Sequence, residues 1–241
     1  MASKRGIALH GSEDTLTGQS AAAVLPPVLA WLKPQSVLDM GCGSGLWVRA
    51  FQDFGVTDVR GVDGTHLAPA ELRIPPELFR AHDLATPLDL GRRFDLVVSL
   101  EVAEHLPTTC SETFVESIAR HGDAVLFSAA PPWQTGPGHV NEQWPSYWIA
   151  LFAQHSFEPF DLLRPIIWSD ERVHWYYRQN ILLFGRGERA ERLREVPPPP
   201  PIFDYAHPEM VVGRIRASTK ALAKALPVVA WNNVRHRMSQ R

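Results

Sequence analysis

The 241-residue chain holds only two cysteines, Cys42 and Cys110. Two thiols build neither a disulfide framework nor a four-ligand zinc site. A long apolar run is missing too. Ala21 to Leu32 is apolar but too short to span a bilayer, and Pro26-Pro27 interrupts it. The basic N-terminus, Met1 to His10, leads into no apolar stretch. Positive charge is not in excess: 24 Lys+Arg stand against 26 Asp+Glu, a formal net charge of −2. No broad basic surface for nucleic acid is implied. These absences lead to the expectation of a cytoplasmic protein with no membrane insertion and no nucleic-acid partner.

What is present is an alternation of short buried-strand patterns and helical patterns. Hydrophobic residues make up 45%, enough for a core. Residues 1–18 are polar and read as a mobile N-terminal lid segment. Gln19 to Leu32 reads as a helix broken or kinked at Pro26-Pro27. Strands are expected at Ser36–Met40, Asp58–Val62, Leu78–His82, Phe94–Leu100 and Ala124–Ser128, then at Phe157–Leu163 and Trp175–Phe184. Helices are expected at Leu46–Phe54, Ser111–Arg120 and Ser146–Gln154. That order implies an α/β domain over 1–195, with a mostly parallel sheet covered on both faces. Ligands on such sheets bind at the carboxyl ends of the strands, near the switch in strand order.

Past that domain, 196–241 opens on five prolines, Pro197 to Pro201, which read as a stiff polyproline II spacer. A basic tail follows, carrying Arg214, Arg216, Lys220, Lys224, Arg235 and Arg237. It is open to packing on the domain, to pairing in a homo-oligomer and to touching an anionic substrate. A solvated helix face explains it as well.

Chemistry-bearing residues gather at the expected strand ends. Asp39-Met40-Gly41-Cys42-Gly43-Ser44-Gly45 follows the first strand and precedes a helix. Glycines there let the backbone turn tightly and come close to a ligand. The spacing is not the G-x-G-x-x-G of a pyrophosphate cradle. A carboxylate at the strand end would repel a pyrophosphate and suits a ligand with an ammonium group and a sulfonium cation. Asp63 ends the next strand, where an acid accepts hydrogen bonds from two ribose hydroxyls. Asp83 ends the third, where a carboxylate accepts from an adenine amino group. The fourth strand and its turn run Phe94 to Pro107, through Glu101, Glu104 and His105.

The stretch from about Ser36 to Pro107 resembles the class I methyltransferases that use S-adenosylmethionine (SAM). "VLDMGCGSG", "GVDG", "HDL" and "FDLVVSLEVAEHLP" are close to that family's successive motifs. The resemblance implies a Rossmann-like seven-stranded sheet with the last strand antiparallel. It implies methionine contacts from Asp39, Gly41 and Gly43, ribose contacts from Asp63, and adenine contacts from Asp83 and Leu84. Glu101 would sit beside the sulfonium end. "PGHVNEQWPSYWIALFAQHSF" (137–157) and "WYYRQNILLF" (175–184) look like bacterial O-methyltransferases of sugar and polysaccharide biosynthesis. The activity this implies is methyl transfer to a hydroxyl of a small sugar or an oligosaccharide. A small nitrogen or phenolic acceptor is the alternative, as is SAM binding without turnover.

A hydroxyl acceptor must lose its proton. His139, in a Gly-Pro-Gly-His turn after the fifth strand, is the candidate base, with Glu142 as its partner or rival. His105 is read as architecture beside the cofactor. Asn141 and Gln143 complete a polar cluster suited to sugar hydroxyls, though a polar surface loop accounts for the same residues. Trp133, Trp144, Tyr147 and Trp148 surround it and suit either sugar stacking or helix packing. Mg²⁺ is a second cofactor to consider, with Glu142 and Glu101 as contributors, although no spaced carboxylate cluster marks a site.

Overall fold

The computed structural model describes residues 6–64, 69–197 and 210. Contacts divide the chain into two units, Met1–Tyr205 and Ala206–Arg241. Apart from Val196, Pro197 and Met210, the expected spacer and basic tail lie outside the described residues.

In chain order the elements are α1 (Gly6–Leu32), β1 (Ser36–Met40), α2 (Leu46–Asp53), β2 (Asp58–Asp63), β3 (Phe79–Ala81), β4 (Leu96–Leu100), α3 (Ser111–His121) and β5 (Ala124–Ser128). Then come α4 (Pro145–Ala153), β6 (Glu158–Phe160), α5 (Arg164–Ile167), α6 (Trp175–Asn180), β7 (Leu182–Gly185) and α7 (Glu188–Arg194). The sheet has seven strands in the order β3-β2-β1-β4-β5-β7-β6. β7 runs antiparallel to both β5 and β6, and the other pairs are parallel. The expected Rossmann-like sheet with its last strand reversed is the observed one.

Alternation along the strands feeds two cores, one on each face. Val37, Leu96, Val98, Leu126 and Leu183 pack with Val24 and Leu25 of α1, Phe51 of α2 and Leu193 of α7. Leu38, Val97, Val125, Phe127 and Phe184 pack on the other side with Phe114 and Ile118 of α3 and Phe152 of α4. The Phe152 and Phe184 rings stack at 4.3 Å. β4 and β5 are buried throughout, as a doubly covered parallel sheet requires.

Two expectations need correction. The first concerns Trp175–Phe184, which is not one strand. Its first six residues form α6, and only Leu182–Gly185 pairs in the sheet. The aromatic run Trp175-Tyr176-Tyr177 fits a strand by composition. It packs as a helix because Tyr177 is buried against the α1 and α2 core while Leu182 onward joins β5. The second is the helix expected to break or kink at Pro26-Pro27: α1 starts at Gly6 and passes through both prolines unbroken. The missing proline N–H groups would have served the carbonyls of Ala22 and Ala23. Ala22 is exposed and Ala23 half-buried, so water reaches them, while Ala21, Val24, Leu25 and Val28 keep the opposite stripe in the core. Among the described residues no helix is long and apolar enough to cross a membrane.

Candidate active site

Strand order reverses between β1 and β4, and the turn after β1 lies at that switch. The Gly41 and Cys42 N–H groups both donate to the Val62 carbonyl, at 2.7 and 3.2 Å. Gly41 has φ +91°, and a Cβ there would lie 2.2 Å from Val102 Cγ2. No other residue fits. Gly43 has φ +53° and open space where a side chain would be, so its bare backbone faces a cavity. Cys42 packs as a small buried residue over Gly61.

Asp63, at the end of β2, accepts from the Gly43 N–H at 2.7 Å and from the Gly64 N–H at 2.6 Å. It therefore ties the glycine turn to β2. Asp39 is buried, and its Oδ2 has no hydrogen-bond partner. Burial, then the Asp63 carboxylate, pushes its pKa up to about 8. A buried carboxylate in this condition is costly until a cationic or donor group meets it.

Two cavities meet here. One, of about 520 Å³, is lined by Asp63, Gly64, Asp83, Leu84, Val102 and Leu106. The other, of about 530 Å³, is lined by Trp47, Glu104, Gln134, His139, Trp175 and Tyr176, among others. Gly41, Gly43, Glu101 and His105 line both. Thus six of the seven residues expected at the cofactor, Gly41, Gly43, Asp63, Asp83, Leu84 and Glu101, line the first cavity. Asp39 is buried behind the glycine turn. Asp83 is exposed and accepts from the Ala85 N–H at 3.0 Å.

Glu101 closes β4 with a left-handed backbone, φ +55°. Its N–H donates to the Ser128 carbonyl and hydroxyl, at 3.0 and 3.1 Å, which holds that conformation. Its carboxylate accepts from Gln134 Nε2 at 2.7 Å and from Asn180 Nδ2 at 3.0 Å. Burial raises its pKa against the pull of these donors. Gln134 and Asn180 were not singled out from the sequence.

The loop 131–142 brings His139 over the second cavity. His139 Nδ1 lies 2.9 Å from Glu142 Oε1. Glu142 also accepts the N–H groups of Trp133 at 2.9 Å and Thr135 at 2.5 Å, two residues with positive φ. The carboxylate thus pins a strained loop as well as the imidazole. The His139 ring meets His105 edge-on at 4.9 Å. Burial, then His139, lowers the pKa of His105. Asn141 does not face the cavity. It is buried, bonded to Thr108, Gln143, Ser111 and the Ala103 carbonyl, and fastens the loop to the turn after β4. Trp148 is likewise core, packed on Phe127. The aromatic walls of the second cavity are Trp47, Trp175, Tyr176 and Tyr177, with Trp47 Nε1 donating to the Tyr177 hydroxyl at 3.3 Å. Three of these aromatics, Trp175, Tyr176 and Tyr177, reach the wall from α6, where a strand was expected.

Comparison with known proteins agrees with this geometry. The family described as "Methyltransferase domain" matches residues 19–162, well over half of the chain. A ubiquinone biosynthesis O-methyltransferase of Azorhizobium caulinodans is 37% identical over 84 residues, covering 31% of this chain and 32% of that protein. The match spans about a third of the length of the curated relatives. Among solved structures, Streptomyces venezuelae DesVI superposes with TM-score 0.57 at 15% identity, covering 75% of this chain and 96% of its own. SAM-bound CalS10, an amino pentose methyltransferase from Micromonospora echinaspora, superposes with TM-score 0.53 at 17% identity, covering 78% and 98%. The chain belongs to the methyltransferase domain family and carries the fold of class I SAM-dependent methyltransferases.

Proposed function

We propose that the chain transfers a methyl group from SAM to a hydroxyl of a small sugar or glycan acceptor. One observation carries the reading: two cavities of similar size share a wall made of Gly41, Gly43, Glu101 and His105. A donor in one and an acceptor in the other would meet at that wall.

The residues fit SAM. The unpartnered Asp39 oxygen and the bare Gly43 backbone suit the ammonium and carboxylate of its methionine part. Asp63, at the end of β2, suits the ribose hydroxyls, and Asp83 and Leu84 suit the adenine. When bound, SAM supplies a sulfonium methyl group already activated for attack. The chain's own task is then to hold the acceptor and take its proton.

His139 suits that role. Glu142 at Nδ1 favours the tautomer that leaves Nε2 as the proton acceptor. Trp47, Trp175 and Tyr176 offer flat faces to a ring with apolar C–H groups. The amino pentose named for CalS10 supports a sugar acceptor, and the O-methylation named for the ubiquinone enzymes supports a hydroxyl one. A phenolic acceptor fits the same aromatic walls and is the second reading. The carboxylates of Glu101 and Glu142 are both engaged by protein donors, so this reading routes nothing through Mg²⁺ at that pair. Nor does it need a membrane or a nucleic acid.

The test is a panel of mono- and oligosaccharides and catechols incubated with methyl-labelled SAM and the full chain. A methylated sugar product supports the reading. Transfer to catechols alone moves the acceptor to the phenolic class. Calorimetry showing no SAM binding by the folded protein removes it altogether.

A further inference from the structure

We propose that Glu104, His105 and His139 form a binding site for a divalent first-row transition cation, set in the wall of the acceptor cavity. One ligand atom from each of the three lies within 4.8 Å of the others. All three residues border the cavity of about 530 Å³.

Glu104 is the second and independent observation. It is fully buried, and neither carboxylate oxygen has a hydrogen-bond partner. The N–H groups of Glu104 itself and Ala130 lie near enough to act on its charge but outside hydrogen-bond geometry. Burial, then the Glu101 carboxylate, drives its pKa up to about 9. A carboxyl group kept buried and without donors beside two imidazoles ionises only when something positive binds there. A cation satisfies both oxygens at once.

The donor set selects the kind of cation. Two imidazole nitrogens and one carboxylate suit Mn²⁺, Fe²⁺, Co²⁺, Ni²⁺ or Zn²⁺, whereas Mg²⁺ and Ca²⁺ favour oxygen ligands throughout. The outer partners that orient such ligands are in place. Glu142 holds His139 Nδ1 at 2.9 Å, and the Gly138 backbone lies beside His105 Nδ1. Ligands on a bound ion sit roughly 3–4 Å apart for bonds of about 2.1 Å, so modest side-chain rotation closes the set. Three protein ligands leave positions open toward the cavity. An acceptor oxygen bound at one of them has its hydroxyl pKa lowered, and His139 then serves as ligand in place of base. That role rests on the methyl transfer proposed above; the binding of the cation does not.

Tag-free full chain, stripped with chelator, is titrated calorimetrically with Mn²⁺, Co²⁺, Zn²⁺ and Mg²⁺, and separately with S-adenosylhomocysteine. One equivalent of transition cation is expected to bind, and Mg²⁺ far more weakly. The visible spectrum of bound Co²⁺ reports its ligands. Glu142→Ala, which removes an outer partner, is expected to weaken binding about 10- to 100-fold. His139→Ala and Glu104→Gln should weaken it more. His139 lies on a surface loop, so that variant stands if Glu104→Gln does not fold. Mg²⁺ binding as tight as Co²⁺, or Co²⁺ binding untouched by His139→Ala, overturns the site. So does absence of any cation binding in protein that still takes up S-adenosylhomocysteine. Cation binding without uptake of S-adenosylhomocysteine leaves the site standing and sinks the methyl-transfer reading instead.

Discussion

Asn180, at the end of α6, donates its amide to Glu101 Oε1 at 3.0 Å and to Gln134 Oε1 at 2.8 Å. Gln179 Nε2 donates to Asn180 Oδ1 at 2.9 Å and fixes which way the amide faces. Gln134 in turn donates to Glu101 Oε2, closing a triangle around a carboxylate at the shared cavity wall. Asn180→Ala takes one donor from a half-buried carboxylate, at a cost of about 1–3 kcal/mol. Thermal unfolding is expected to show a lower Tm, and turnover to fall. Asn180→Asp sets a second carboxylate against Glu101 and is expected to be the worse of the two. An Asn180→Asp protein as stable and active as wild type would contradict this account of the triangle.

Asp39 is expected to link ligand binding to pH. Its pKa in the folded chain, about 8, lies above the ordinary 3.8. The folded protein therefore holds a proton that the unfolded chain has released. Between about pH 4 and 8 the contribution of Asp39 makes stability fall as pH rises, and it levels off above 8. An ammonium-bearing ligand needs the ionised form, so its affinity rises toward pH 8 and binding at pH 7 releases a proton. Titrating S-adenosylhomocysteine in buffers of different ionisation heat measures that release. Asp39→Asn is expected to reduce the release, weaken binding and raise the Tm of the free protein at pH 8. Wild-type binding with no proton release at pH 7 counts against it.

Asp63 is expected to serve ligand and turn together. Asp63→Ala removes a charged acceptor for ribose hydroxyls, a loss of about 1.5–3 kcal/mol in SAM affinity. It also frees the Gly43 N–H that Asp63 holds at 2.7 Å. SAM and S-adenosylhomocysteine should weaken in parallel, since both carry the ribose. Unchanged calorimetric affinity for the two would refute the assignment.

His139→Ala is expected to slow methyl transfer by a factor of about 10²–10⁴ in single turnover at saturating SAM and acceptor. Affinity for S-adenosylhomocysteine should stay near wild type, because the cofactor cavity is lined from β1, β2 and β4. Glu142→Ala releases His139 and the Trp133 and Thr135 amides together, so turnover should fall there too. Transfer at the wild-type rate by His139→Ala removes it from the chemistry.

Arg164 and Asp161 form a buried ion pair, joined at 2.8 Å through Nε and 2.6 Å through Nη2. Arg164 Nη1 also donates to the Gln179 carbonyl at 3.2 Å, in α6 beside Asn180. Arg164→Met takes the paired cation from a buried carboxylate and is expected to cost about 3–5 kcal/mol in denaturant unfolding. A midpoint equal to wild type would show that the pair can be dispensed with.

Much of the fold was legible because its signals are local. Val37-Leu38-Asp39-Met40 must be a buried strand wherever it lies, and Gly41 and Gly43 must come next because only they tolerate that backbone. Asp63 and Glu101 end strands whose hydrophobic runs mark them, so their place at the carboxyl edge is set by the parallel alternation. The sheet order and the helical state of Trp175–Asn180 rest on partners far along the chain, and aromatic composition alone favoured a strand there. Asn180 meets Glu101 across 79 residues, and Glu142 serves two strained amides of its own loop. Glu104 was visible in the sequence as one acid of a familiar turn. Burial without a donor, beside two histidines from separate loops, is a property of the packed chain, because desolvation depends on what the rest of the molecule places around a side chain.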